Sequence, residues 1–168
     1  MIKYFGLDRQ YIQLKDELLD ATDSVLSSGS LNDGIYAQKF ADWLSIKTKA
    51  HYVILCHSGT QALEIIARYE RVPNLTYPAT MNAFLSAGLK VELADTDKNG
   101  IIVPQEEDEL QKIECHVGLF GAPTTQVESD NGIAVLNNNV AIIDGAQHWL
   151  IADGNIGTAM AISFDPTK

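Results

Sequence analysis

Apolar residues recur at helical spacing near the start of the chain. Tyr11, Leu14, Leu18 and Val25, with Ile12, Leu19 and Ala21 beside them, predict a first helix from about Arg9 to Ser28, stopped by Gly29. The small and polar stretch Ser27 to Gly34 reads as a sharp connection. Ile35, Phe40, Trp43 and Leu44 then mark a second amphipathic helix. Beyond Ala50 the pattern changes. Tyr52-Val53-Ile54-Leu55-Cys56 is a short apolar run of the kind that forms a buried parallel strand. His57 to Thr60 is the turn after it, and Gln61 to Tyr69 the helix behind it. Pro78 suits the first turn of another helix, running to about Ala87.

Val91, Leu93 and Ala94 predict a strand ending at Asp95-Thr96-Asp97. The acidic stretch Gln105 to Gln111 reads as a solvated helix, and Ile113 to Leu119, Val140 to Asp144 and Ala159 to Phe164 as further buried strands. Strands alternating with helices make an α/β fold with a mainly parallel sheet. No internal repeat, low-complexity tract or dividing linker interrupts the 168 residues, which suffice for one domain with a real core.

Composition narrows the function classes. Twelve basic against twenty-two acidic side chains give a net charge of −10, which argues against a nucleic-acid or anionic-membrane surface. No apolar run is long enough to span a bilayer, and the N-terminus lacks the apolar core of a signal peptide. The two cysteines, Cys56 and Cys115, are too few for a disulfide scaffold and read as reduced thiols of a cytoplasmic protein.

In a parallel α/β sheet, ligands bind at the carboxyl ends of the strands. The polar residues expected there are Ser58-Gly59-Thr60, Asp144 with Gln147, and Ser163 ahead of Lys168. A strand–Ser-Gly-Thr–helix turn offers backbone N–H groups and a helix dipole to a phosphate, and the glycine lets the backbone come close. Alone the tripeptide is a weak signal, since most such turns are simple helix caps.

With these residues in view, the chain resembles the nucleotide-sugar aminotransferases of the DegT/DnrJ/StrS type, which are fold-type-I enzymes dependent on pyridoxal 5'-phosphate (PLP). The resemblance runs from Phe5-Gly6-Leu7-Asp8 and Leu14 to Glu17 through Ser28-Gly29 and Gly34 to His57-Ser58-Gly59-Thr60-Gln61-Ala62-Leu63. It continues through Pro73 to Tyr77, Asn82-Ala83, Ala87-Gly88, Asp95-Thr96-Asp97, Leu119 to Pro123 and Ile143-Asp144-Gly145-Ala146-Gln147. Ser163 to Lys168 closes it. No single motif is decisive; their order carries the resemblance.

The resemblance implies a three-layer α/β sandwich, with residues 1–168 as the N-terminal part of the PLP-binding large domain and the C-terminal remainder and small domain absent. It implies that Lys168 forms the Schiff base with PLP and shuttles a proton between substrate carbon and cofactor. It further implies that Asp144 pairs with the pyridine nitrogen and that Gln147 bonds the ring's phenolic oxygen. Tyr77 would stack on the ring, while Gly59, Thr60 and Ser163 hold the phosphate. The implied reaction moves an amino group from an amino acid such as glutamate to a keto-sugar nucleotide. The implied assembly is a homodimer, or a second chain supplying the C-terminal part. Because Lys168 is present, transamination is favoured over the sugar dehydration of relatives that replace this lysine.

Each residue also has a plainer reading. Asp144 is otherwise a strand-end turn former, Tyr77 a packing aromatic, Gln147 a surface amide, Ser163 a strand-end hydroxyl and Lys168 a solvated terminal charge. Three departures from the family stand out. Gly118 replaces a common histidine, Asp165 puts a negative charge near the cofactor lysine, and the stretch before Pro73 is short enough to trim a connection and strand. Two rival functions remain: a catalytically silent fragment serving as an interaction module, and a zinc-binding domain built on Cys56-His57 and Cys115-His116. Adjacent strand residues point to opposite faces, so neither Cys-His pair readily shares a metal, and His51 and His148 add no ligand at suitable spacing. A dinucleotide site has no Gly-x-Gly-x-x-Gly to support it.

Overall fold

Local sequence sets the helices. In the computed structural model, which describes residues 5–68, 70–98, 100–103, 113–121, 141–147 and 159–165, helix α1 spans Leu7–Ser28 and α2 spans Ile35–Thr48. Gly29 ends α1 at φ 67°, a left-handed conformation that a side chain would penalise. Met1–Leu55 and Cys56–Phe164 form two compact units.

Within the first unit, Thr48 folds its hydroxyl back onto the Leu44 carbonyl at 2.8 Å and Phe40 stacks on Trp43 at 5.9 Å. No residue of α1 is buried, and α2 buries only Leu44 and Thr48. Among the described residues no helix is long and apolar enough to cross a membrane.

The second unit carries a sheet of strands β1 (Glu70–Pro73), β2 (Val91–Ala94), β3 (Ile113–Val117), β4 (Ala141–Asp144) and β5 (Ala159–Ala161). All four ladders are parallel, in the order β2-β1-β3-β4-β5. Helices α3 (Gly59–Ile66) and α4 (Pro78–Ser86) belong to the same unit. Strand alternation sends Val72, Cys115, Ile142 and Ala161 to one face, where they close with Leu63 of α3 and Ala83 and Phe84 of α4 into the core. The chain steps outward from β1 to β2 and then returns past β1 to β3. The crevice at the carboxyl ends beside such a reversal is where α/β sheets take ligands.

The expected α/β class and parallel sheet hold, with three local corrections. Tyr52 to Cys56 forms no strand: among the described residues no ladder includes it, and Tyr52 and Ile54 are exposed. An apolar run becomes a strand only where another strand satisfies its N–H and C=O groups. The helix expected over Gln61 to Tyr69 ends at Ile66, because Ala67 leaves helical geometry at ψ 137°. The short stretch before Pro73 forms the four-residue strand β1, paired on both sides. Its second residue, Arg71, is buried and pairs with Glu92 across the ladder at 3.9 Å. The last strand stops at Ala161, short of Phe164. The acidic segment Gln105 to Gln111 lies outside the described residues.

Candidate functional site

Helix α3 begins at a side-chain cap. Ser58 Oγ accepts the Gln61 N–H at 3.1 Å, and Gln61 Oε1 accepts the His57 N–H at 3.1 Å, so the two side chains close the turn reciprocally. The first helical bond runs from the Ala62 N–H to the Ser58 carbonyl. The N–H groups of Gly59 and Thr60 have no acceptor within the helix, as helix geometry requires. Gly59 sits against the segment following β5: a methyl group there would lie 3.1 Å from Ser163 Cβ and 3.8 Å from the Ile162 carbonyl oxygen. The structure thus brings Gly59 and Ser163 together across more than a hundred residues of sequence, around a helix N-terminus that favours anions.

Asp144 is the last residue of β4 and is buried. It lies two residues after Ile142, so its side chain shares the face that packs on α4. Its Oδ2 accepts from Thr80 Oγ1 at 2.8 Å and its Oδ1 from the Ala146 N–H at 3.1 Å. Thr80, fully buried in the first turn of α4, accepts in turn from Thr76 Oγ1 at 2.9 Å. The Thr80 N–H donates to the Tyr77 carbonyl at 3.0 Å, which puts Tyr77 one turn from this network. Tyr77 is the N-cap residue of α4, with 60% of its surface exposed.

Gln147 is exposed and tied to the 3-10 turn Leu119–Gly121. Its Oε1 accepts the Phe120 N–H at 2.7 Å, which leaves the amide NH2 as donor. Phe120 adopts φ 56° and ψ 24°, a left-handed conformation rare for an aromatic residue. Gly118 is buried, and its N–H donates to the Asp144 carbonyl at 3.1 Å. Any longer side chain there would stand at the end of β3, beside that carboxylate-bearing strand. Lys168 lies outside the described residues.

The sequence reading missed Thr80 and Thr76, which join Asp144 to α4. Their four-residue spacing was the only available signal, and it is too common to single out. The Cys-His pairs do not converge. Cys115 lies in the core while His116 belongs to the opposite face, and Cys56 is exposed. Burial lowers the pKa of His116 from its ordinary 6.5. Among the described residues no three His, Cys, Asp or Glu side chains could hold a metal ion. A crevice lined by Pro73, Gly100, Ile101, Ile102, His116 and Val117 encloses only ≈ 10 Å³, room for about one water molecule.

The model of the DegT/DnrJ/EryC1/StrS aminotransferase family matches residues 12–168. The chain is 28% identical to a pleiotropic regulatory protein of Geobacillus stearothermophilus over 99% of its own length and 50% of that protein. It is 27% identical to UDP-4-amino-4,6-dideoxy-N-acetyl-beta-L-altrosamine transaminase of Campylobacter jejuni (strain 81-176), over 89% of its length and 45% of that protein. The chain therefore spans about half the length of the curated relatives it matches. Among solved structures, S. venezuelae DesV in complex with a ketimine intermediate superposes with a TM-score of 0.76 at 21% identity, covering 98% of this chain and 49% of that one. Bacillus subtilis NtdA with bound cofactor PMP gives 0.73 at 23% identity, covering 98% and 41%.

Proposed function

The chain belongs to the DegT/DnrJ/EryC1/StrS aminotransferase family, and on that premise we propose that it is the cofactor-binding part of a PLP-dependent nucleotide-sugar aminotransferase. One observation carries the reading: a buried carboxylate, Asp144, fixed by two donors at the carboxyl end of β4. A buried carboxylate is costly to keep unless it has such donors or a cationic partner. Each of its oxygens accepts one bond and keeps lone-pair capacity for another.

The surrounding residues suit PLP. The turn Ser58-Gly59-Thr60 presents two N–H groups and a Cβ-free approach beside Ser163, which fits a phosphate dianion. The donor amide of Gln147 fits a phenolate oxygen, and the exposed Tyr77 ring fits a flat heterocycle. When bound, PLP supplies an electron-accepting ring that makes the C–H bond next to an amine acidic.

The rest falls to the chain itself. Asp144 holds a proton at the ring nitrogen, Gln147 steadies the phenolic oxygen, and Gly59, Thr60 and Ser163 bind the phosphate. Lys168 carries the cofactor on its ε-amine and moves a proton between the substrate carbon and the cofactor. The proposed donor is an amino acid such as glutamate and the acceptor a keto-sugar nucleotide. That choice is supported by the family and by the amino-sugar nucleotide in the name of the Campylobacter relative. The implied assembly is a homodimer, or a second chain supplying the remainder of the relatives' length.

Borohydride reduction of the protein with PLP, followed by intact-mass measurement and peptide mapping, tests the proposal. A single adduct on Lys168 is expected. Adducts scattered over surface lysines with Lys168 unmodified would overturn it and favour a catalytically silent module of the same fold.

A further inference from the structure

The Asp144 carboxylate is the end of a directed chain of hydroxyls. An ionised carboxylate only accepts, and a threonine hydroxyl has one proton to give. Thr80 therefore spends its proton on Asp144 Oδ2, at 2.8 Å, and takes the proton of Thr76 onto its own lone pair, at 2.9 Å. The chain runs from the turn before α4, through the first turn of that helix, to the end of β4, spanning 64 residues of sequence between Thr80 and Asp144. Thr80 is fully buried beside Ala83 and Phe84, where a valine of the same shape would pack without a polar atom to satisfy. The hydroxyl is needed only if something requires a donor. Among the described residues the acceptor it serves is Asp144.

We infer that Thr76 and Thr80 are positioning residues that hold the Asp144 carboxylate in one orientation toward a protonated ring nitrogen. The Ala146 N–H fixes Oδ1 while Thr80 fixes Oδ2, so the carboxyl plane cannot rotate without breaking one bond. Thr76 polarises the Thr80 hydroxyl and prevents it from turning to accept instead. The inference deepens the proposed role of Asp144 and rests on it for its ligand, but the relay can be tested without one.

Two measurements on the full chain decide it. The first follows the carboxyl ¹³C signal of Asp144 at one fixed pH, assigned through Asp144→Asn. Thr80→Val is expected to displace the signal from its wild-type position, because Oδ2 loses its donor. Thr76→Val should displace it by less, and Thr80→Ser should restore it. An unmoved signal in Thr80→Val, or equal displacements in the Val and Ser variants, would overturn the relay.

The second measurement titrates each variant with ¹⁵N-labelled PLP. Thr80→Val should bind it about ten-fold more weakly and move the ring-nitrogen signal toward the unprotonated form, while Thr80→Ser does neither. A displaced carboxyl signal with an unmoved ring nitrogen would overturn the positioning role. If no form takes up PLP, wild type included, the reading of the site falls and the carboxyl signal alone decides the relay.

Discussion

The two units of the chain use apolar residues in opposite ways. In α1, Leu14, Leu18, Leu19 and Leu26 are each at least 45% exposed, although their spacing marks a helix face. In the second unit, Leu63, Ala83 and Phe84 come from helices of eight and nine residues and are at most 3% exposed. The long helices are the bare ones. Helical spacing therefore says which residues share a face, while burial depends on what meets that face, here a sheet assembled from strands far apart in sequence.

The largest contrast should appear in thiol chemistry. Cys56 is exposed and Cys115 is fully buried in the core. Iodoacetamide should label Cys56 in the native protein on the order of 10³ times faster than Cys115, whose modification waits on opening of the sheet. Equal rates, followed by peptide mass, would show that the core of the second unit is not closed. Next in size, Phe84→Ala should lower the unfolding free energy by about 3–5 kcal/mol in urea titration, whereas Leu18→Ala should change it by less than about 0.5 kcal/mol. A large loss at Leu18 would break the contrast and show that α1 is covered in solution.

Removing the α3 cap with Ser58→Ala should cost about 1 kcal/mol, because the Gln61 N–H loses its acceptor. Ser58→Asn should recover most of it. The smallest effect is a slope. Burial holds the His116 pKa below 6.5, so as pH falls through 6.5 the unfolded chain takes up a proton before the folded one does. Stability then declines with falling pH until the folded pKa is passed, and above about pH 7 this residue contributes no slope. His116→Gln should flatten the fall between pH 7 and 5, read from urea midpoints.

What the sequence revealed follows the same divide. Both N-terminal helices, the Pro78 helix and the strands β2, β3 and β4 were legible because period and length alone define them. Strand β1 was not, because Glu70-Arg71-Val72-Pro73 has no apolar run, and its buried Arg71 pairs with Glu92 of a strand that comes later in sequence. Conversely, Tyr52 to Cys56 has the apolar run and no pairing partner among the described residues. At the site, the Ser58-Gly59-Thr60 turn and the strand-end Asp144 could be read from composition and order. Thr80 could not. A threonine in a first helical turn carries no mark of a carboxylate that arrives 64 residues later.

The parallel order of the sheet also sets a timetable for synthesis. Among the described residues no ladder is a hairpin: Glu70 pairs with Val91 on one side and with Ile113 on the other. At about 5–20 residues per second, a ribosome that has just made β1 needs roughly 2–8 s to deliver the first residue of β3. Through that interval α1 and α2 have everything their hydrogen bonds require, while β1 holds a buried-to-be arginine in water. The nascent chain is thus ordered from its N-terminus in helix long before it can be ordered in sheet, and its slowest commitment is the closing of β1 between two later strands.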